Sequence, residues 1–115
     1  MHELSLAQGL LSTIDAQVRA RRARGVRRVR LRVGDAAGVE VELLTHWYDV
    51  IRAGTVCAGA ALEVERVPER WACPACGAEH RPTGPLRCTR CGVPLRLVAG
   101  DELVLDRLEL EVDDV

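Results

Sequence analysis

Two Cys-x-x-Cys-Gly turns, Cys73-Pro74-Ala75-Cys76-Gly77 and Cys88-Thr89-Arg90-Cys91-Gly92, stand eleven residues apart in the second half of the chain. No other feature constrains the fold so strongly. Two residues between cysteines let a tight turn aim both sulfurs at one ion. A following glycine accepts positive φ, so backbone N–H groups can point at the sulfurs. Four thiolates around one cation form a closed tetrahedral set, which suits a structural zinc; iron in a rubredoxin-like site would use the same four sulfurs. Free buried cysteines or two disulfides are the alternatives. Disulfides fit poorly, because no positively charged segment precedes a continuous apolar run at the start of the chain, so no signal peptide and a reducing cytoplasm are expected.

The segment around these turns, residues 71–97, differs in composition from the rest. It holds four of the five cysteines and four of the five prolines, with Trp71, Leu86, Val93 and Leu95 as its main apolar side chains. So little apolar material cannot form a core, and metal binding must fold the segment. It reads as a zinc-ribbon-like lobe inserted into a second unit made of residues 1–70 and 98–115.

That second unit shows ordinary periodicities. Leu4, Ala7, Leu11, Ile14 and Val18 recur at helical steps with Leu10 beside them, predicting an amphipathic helix to about Arg22 that stops at Gly25. Val29, Leu31 and Val33 alternate with Arg28, Arg30 and Arg32, as in a half-buried strand. After a turn at Gly34 to Gly38, the stripe Leu43, Leu44, Trp47, Val50 and Ile51 predicts a second helix ending near Gly54. Leu62, Val64 and Val67 predict a strand ending at Pro68, and Leu103 to Val112 another. The expected fold is α+β: two helices on a small three-stranded sheet in the order α-β-α-β-lobe-β. The two strands flanking the lobe are expected to pair as neighbours.

All 16 basic residues are arginine, and eight of them fall between Arg19 and Arg32 without an acid, whereas seven acids and one arginine lie between Asp101 and Asp114. A nucleic-acid face is one reading. The other is that the first and last strands share a sheet, with Arg28, Arg30 and Arg32 facing Glu109 and Glu111 across it. The second is the more economical, because the compensating acid is already in the chain. The net charge of −1 and the scarcity of aromatics, with Trp47, Trp71 and Tyr48 alone, also count against nucleic acid. No run approaches the roughly 20 apolar residues of a membrane span. Cys57 reads as a small buried hydrophobe, and His46 as packing or surface.

The start, Met1-His2-Glu3, offers a second kind of metal chemistry. With the initiator methionine retained, its amine, the His2 amide nitrogen and the His2 Nδ1 can close two chelate rings around one ion. A tetragonal nitrogen field of that kind suits Ni(II) or Cu(II). Glu3 adds a carboxylate or a further backbone nitrogen. His80, on the lobe, could complete such a site were the lobe to fold back, although a loop histidine is more often simply solvated.

The MHELSL start, the turn Gly34-Asp35-Ala36-Ala37-Gly38-Val39-Glu40, the Gly54-Thr55 and Gly59-Ala60 pairs ahead of a Leu-x-Val strand, and the doubled cysteine turns follow one another in a single order. In this the sequence resembles the HypA/HybF hydrogenase nickel-incorporation proteins, over its whole length. The resemblance implies a nickel-binding protein without turnover, with His2 as the essential nickel ligand and Met1 and Glu3 contributing main-chain nitrogen or carboxylate. It further implies zinc on Cys73, Cys76, Cys88 and Cys91, and Glu40 as an acid near the nickel. The implied partners are a HypB-type GTPase and the precursor of the [NiFe]-hydrogenase large subunit, in the cytoplasm, with the chain a monomer or weak homodimer and with no membrane or nucleic acid involved. Ala36-Ala37 stands where the family usually has Leu-Ser, and Trp47 and Tyr48 where it usually has phenylalanine, changes that concern packing. The competing reading is a zinc-ribbon adaptor for nucleic acid or protein, which leaves the Met-His-Glu start without a role.

Overall fold

The computed structural model describes residues 2–80 and 84–113. Eight elements follow in the order α1 (His2–Ala20), β1 (Gly25–Gly34), α2 (Val41–Ile51), β2 (Leu62–Val67), β3 (Arg70–Ala72), β4 (Glu79–His80), β5 (Arg96–Ala99) and β6 (Leu103–Glu111). They form two three-stranded sheets, β2-β1-β6 and β4-β3-β5. The α+β architecture with an inserted cysteine lobe is therefore as expected, and the lobe adds a small sheet of its own.

In the first sheet β1 is central: β2 runs parallel to it and β6 antiparallel. The strands flanking the lobe are thus not neighbours, contrary to expectation. A parallel β1–β2 pair requires a crossover, which α2 supplies, and this leaves only the far edge of β1 for the returning chain. The closeness of the lobe's two ends is provided instead by β3 and β5, which pair from Arg70↔Ala99 to Ala72↔Arg96.

Both helices cover one face of the β2-β1-β6 sheet. Ala7, Ile14 and Val18 of α1, Val26, Val29, Leu31 and Val33 of β1, Leu44 and Tyr48 of α2, and Cys57, Ala60 and Leu62 make the buried cluster. Each fully buried aliphatic side chain contributes about 1.5–3 kcal/mol relative to exposure. The buried stripe of α2 is centred on Leu44 and Tyr48, whereas Leu43 and Val50, expected in the same stripe, are exposed. Tyr48 prevails because its hydroxyl, donating to the carbonyl of Ala60 at 2.7 Å, satisfies the polar end of a ring that is otherwise wholly enclosed. Cys57 is fully buried beside it, and burial pushes its thiol pKa up.

Helix α1 also ends differently. Arg22, not Gly25, takes the left-handed conformation at φ 53°, and the N–H of Ala23 bonds back to the carbonyl of Val18 at 2.9 Å. This is a Schellman closure on a non-glycine residue, and it frees Gly25 to begin β1.

The opposite face of the sheet is a ladder of charges. Arg28 bonds Glu63 at 2.7 Å and reaches Glu109 at 3.4 Å, while Arg30 and Arg32 share Glu65 and Asp106 at 3.1–3.8 Å. Glu111 lies nearest Arg27, at 3.9 Å, instead of facing the other three arginines. The bulges in the β1–β6 register shift it out of their row. Each arginine of β1 therefore has an acid at hand, and this face is no free cationic surface.

The turn after β1 ties the two sheets together. Gly34 N–H donates to Glu102, Asp35 N–H to Val67 and Ala36 N–H to Gly100, at 2.7–2.9 Å, so one turn holds both stretches of chain that lead to the lobe. Gly34 and Gly100 pack backbone to backbone there. A Cβ on Gly34 would lie 2.0 Å from the carbonyl oxygen of Gly100.

Candidate metal centres

The two cysteine turns are built alike. Gly77 N–H donates to the Cys73 carbonyl and Gly92 N–H to that of Cys88, both at 2.8 Å; Cys73 and Cys88 N–H donate in turn to Ala78 and Val93 at 2.9 Å. Gly77 and Gly92 sit at φ 76° and 72°, so each loop closes without strain only on a glycine. Backbone N–H groups aim at the sulfurs as the spacing implies: Cys76 N–H at Cys73 Sγ, and Arg90 and Cys91 N–H at Cys88 Sγ, all at 3.4 Å.

The four sulfurs lie within 4.8 Å of one another, and Cys76 Sγ is 3.8 Å from Cys88 Sγ. A regular tetrahedron with metal–sulfur bonds of about 2.3 Å has edges of about 3.8 Å. The donor set therefore fits a Zn²⁺-sized cation, and the sulfurs are much too far apart for disulfides, whose bond is about 2.05 Å. The electrostatics agree. The N–H of Cys76 leads in drawing the Cys73 thiol down to about 7, and that of Cys91 leads in lowering Cys88. Cys91, crowded first by Cys76, is pushed up to about 12. Four thiolates in this space require a cation to balance them.

His80, expected on an open loop, is in β4 opposite Trp71. Its Nε2 is buried and has no hydrogen-bond partner among the described residues. His80 is among the groups that lower the Cys88 thiol.

The amino-terminal end is arranged by Glu3. Its side chain is mostly covered, at 14% exposure, and one oxygen, Oε2, does two tasks. It accepts the N–H of Glu40 at 3.2 Å, at the start of α2, and it stands 3.5 Å from Nδ1 of His2. The N–H of Glu40, followed by Glu3's own N–H and then His2, holds this carboxyl below its ordinary value. Spacing alone did not reveal this bracket, which clamps the first turn of α1 to the start of α2. Its only trace in the sequence is an acid in the first helical turn, where the dipole favours one. The Glu40 side chain is exposed and makes no capping bond to its own helix. The His2 side chain is 59% exposed and its backbone begins α1, where N–H groups have no intrahelical acceptor. Met1 lies outside the described residues. His46 is exposed and meets Trp47 edge-on at 5.3 Å, with no part in either cluster.

Comparison with known proteins places this arrangement. Residues 1–110 match the family profile described as hydrogenase/urease nickel incorporation, metallochaperone, hypA. The hydrogenase maturation factor HypA of Nitrosospira multiformis is 41% identical over 112 residues, covering 96% of this chain and 97% of that protein. The same factor from Acidithiobacillus ferrooxidans is 40% identical, covering 96% and 100%. The fold matches the solution structure of the Ni metallochaperone HypA from Helicobacter pylori with a TM-score of 0.68 at 20% identity, over 96% of this chain and 98% of that one. A further HypA solution structure superposes with a TM-score of 0.74 at 22% identity, over 96% of each chain.

Proposed function

Because the chain belongs to the HypA family of nickel-incorporation metallochaperones, which are maturation factors and not enzymes, we propose that it takes up Ni(II) at its Met-His-Glu start and passes it on during hydrogenase maturation. The observation that carries this reading is the Glu3 bracket. It fixes the first turn of α1 while leaving the His2 ring exposed and the early amides outside the helical hydrogen-bond ladder. Nitrogen donors can then close on a metal without breaking a helical bond. The Met1 amine, the His2 amide and the His2 Nδ1 are the ligands of choice in a tetragonal field. Because Glu3 Oε2 is already engaged by Glu40, Glu3 serves through its main-chain nitrogen, or through the carboxylate only at the expense of that bond. Glu40 stands at the edge of the site.

The four cysteines would hold zinc as a permanent structural ion, since a closed tetrahedral shell leaves no position for exchange chemistry. His80, in the lobe sheet opposite Trp71, would join the nickel site only if the lobe closed on the amino-terminal end. The nickel leaves by transfer, for which a HypB-type GTPase and the hydrogenase large-subunit precursor are the proposed partners, in the cytoplasm. The test is Ni(II) titration of His2→Ala against the parent, both with the native start and with zinc content measured in parallel. Loss of the specific nickel site with zinc retained supports the assignment; equal nickel affinity overturns it.

A further inference from the structure

The second cysteine hairpin carries cationic charge that no acid among the described residues pairs with. Residues 84–99 include Arg87, Arg90 and Arg96 and no acid. None of the three forms an ion pair among the described residues, in contrast to the arginines of β1. Arg87 is bridged opposite Pro94, and Arg87, Pro94, Arg96 and Val98, the last at an irregularity in the β3–β5 register, are all exposed along this stretch of the lobe. Val98 is 48% exposed. It also lines a cleft of about 230 Å³ with Val67 and Val104, the last exposed as well, where the lobe meets the first sheet. Asp101 and Glu102 line that cleft too and have no ion-pair partner among the described residues; Arg32, which also lines it, is held by Glu65 and Asp106. Finally, β5 is an edge strand of its sheet, so its outer N–H and C=O groups are open to a further strand.

From these features we infer that β5 and the adjoining cleft form a docking strip for an extended acidic segment of a partner protein. The segment adds along the β5 edge, sets carboxylates on Arg87 and Arg96, places one apolar side chain among Val67, Val98 and Val104, and meets Asp101 and Glu102 with a basic residue. A nucleic acid fits the strip less well. Tyr48 is buried, Trp47 is half-buried against the core of the first sheet and Trp71 is half-buried within the lobe sheet, so none of the three aromatics forms a platform for bases at the strip, and the acids at the cleft would repel a continuous polyanion. This inference does not depend on the nickel assignment.

The experiment is fluorescence anisotropy with the full-length, zinc-loaded chain and a labelled peptide of three glutamates, one leucine and two lysines. Saturable binding is expected. Arg96→Glu should weaken it about tenfold, Arg96→Lys should restore it, and Val98→Ser should weaken it by a smaller factor. Both positions are exposed, and unchanged zinc content in each variant shows that the lobe is intact. Absence of saturable binding, an affinity unmoved by Arg96→Glu, or stronger binding of an oligothymidylate would each overturn the proposal.

Discussion

In the part of the molecule formed by α1, α2 and the β2-β1-β6 sheet, twelve buried residues drawn from both helices, β1, β2 and the connector before β2 pack into one cluster. In the lobe from Arg70 to Ala99 the only buried side chains among the described residues are two cysteines, Cys73 and Cys88. One region is held by the removal of apolar surface from water, the other by sulfur arranged for a cation. The difference explains why the two can be joined by a single tight turn. Neither relies on the other for its interior, and Gly34 to Ala36 has only to hold the two connecting stretches in place.

The largest expected effect is removal of the metal. A strong chelator, or Cys88→Ser, should unfold the lobe, since apparent zinc affinities in small cysteine modules are on the order of 10–16 kcal/mol and no apolar core stands behind them. Hydrogen exchange should show protection lost from β3, β4 and β5 but kept in β1 and α1. Collapse of both regions together would mean that they share a core after all. Next comes Tyr48→Ala, expected to cost the first region about 3–5 kcal/mol by leaving a large cavity in its centre. Denaturant melting should report that loss while the zinc content of the folded protein stays the same.

A smaller effect is expected from Gly34→Ala, which sets a methyl group against the Gly100 carbonyl. Displacing the turn should cost about 1–3 kcal/mol. Because the damage falls on the joint, backbone NMR shifts should change on both sides of it, at Ala36 and at Glu102. The smallest effect concerns pH. Glu3 has a folded-state pKa below its ordinary value of 4.5, so its contribution is present above that value and is lost as pH falls through the lower, folded one. Acid titration should move the Glu40 amide resonance in that range, with Glu3→Gln abolishing the step; a Glu40 amide indifferent to both would mean that the two helices are not joined there.

Local patterns were plain in the sequence. The doubled cysteine turns, the alternation of β1 and the stripe of α1 each report a geometry fixed by near neighbours, and all three are present. What stayed hidden depends on contacts between distant residues. Leu43 and Leu44 are the same residue type and both fit a helical stripe; only the Ala60 carbonyl, waiting for the Tyr48 hydroxyl, decides which of them turns inward. The pairing of β1 with β6 was legible in their complementary charges, whereas the central place of β1, with β2 parallel along its other edge, was hidden, because three strands of similar composition do not announce which is central. At the candidate sites, the doubled cysteine turns and the Met-His-Glu start were legible as motifs. The second task of Glu3, the inward turn of His80 and the Gly34–Gly100 contact were not, since each needs a partner remote in the chain.

If two metals are held by two regions through separate chemistry, counting both in the same samples is the sharpest check. Nickel and zinc would be measured after Ni(II) titration of three proteins: the native start, the same start with its Met1 amine acetylated, and Cys76→Ser. Both metals are expected on the first, zinc without the specific nickel on the second, and nickel without zinc on the third. Nickel kept by the acetylated protein and lost from Cys76→Ser would refute the separation, and would move the nickel site to the cysteine lobe.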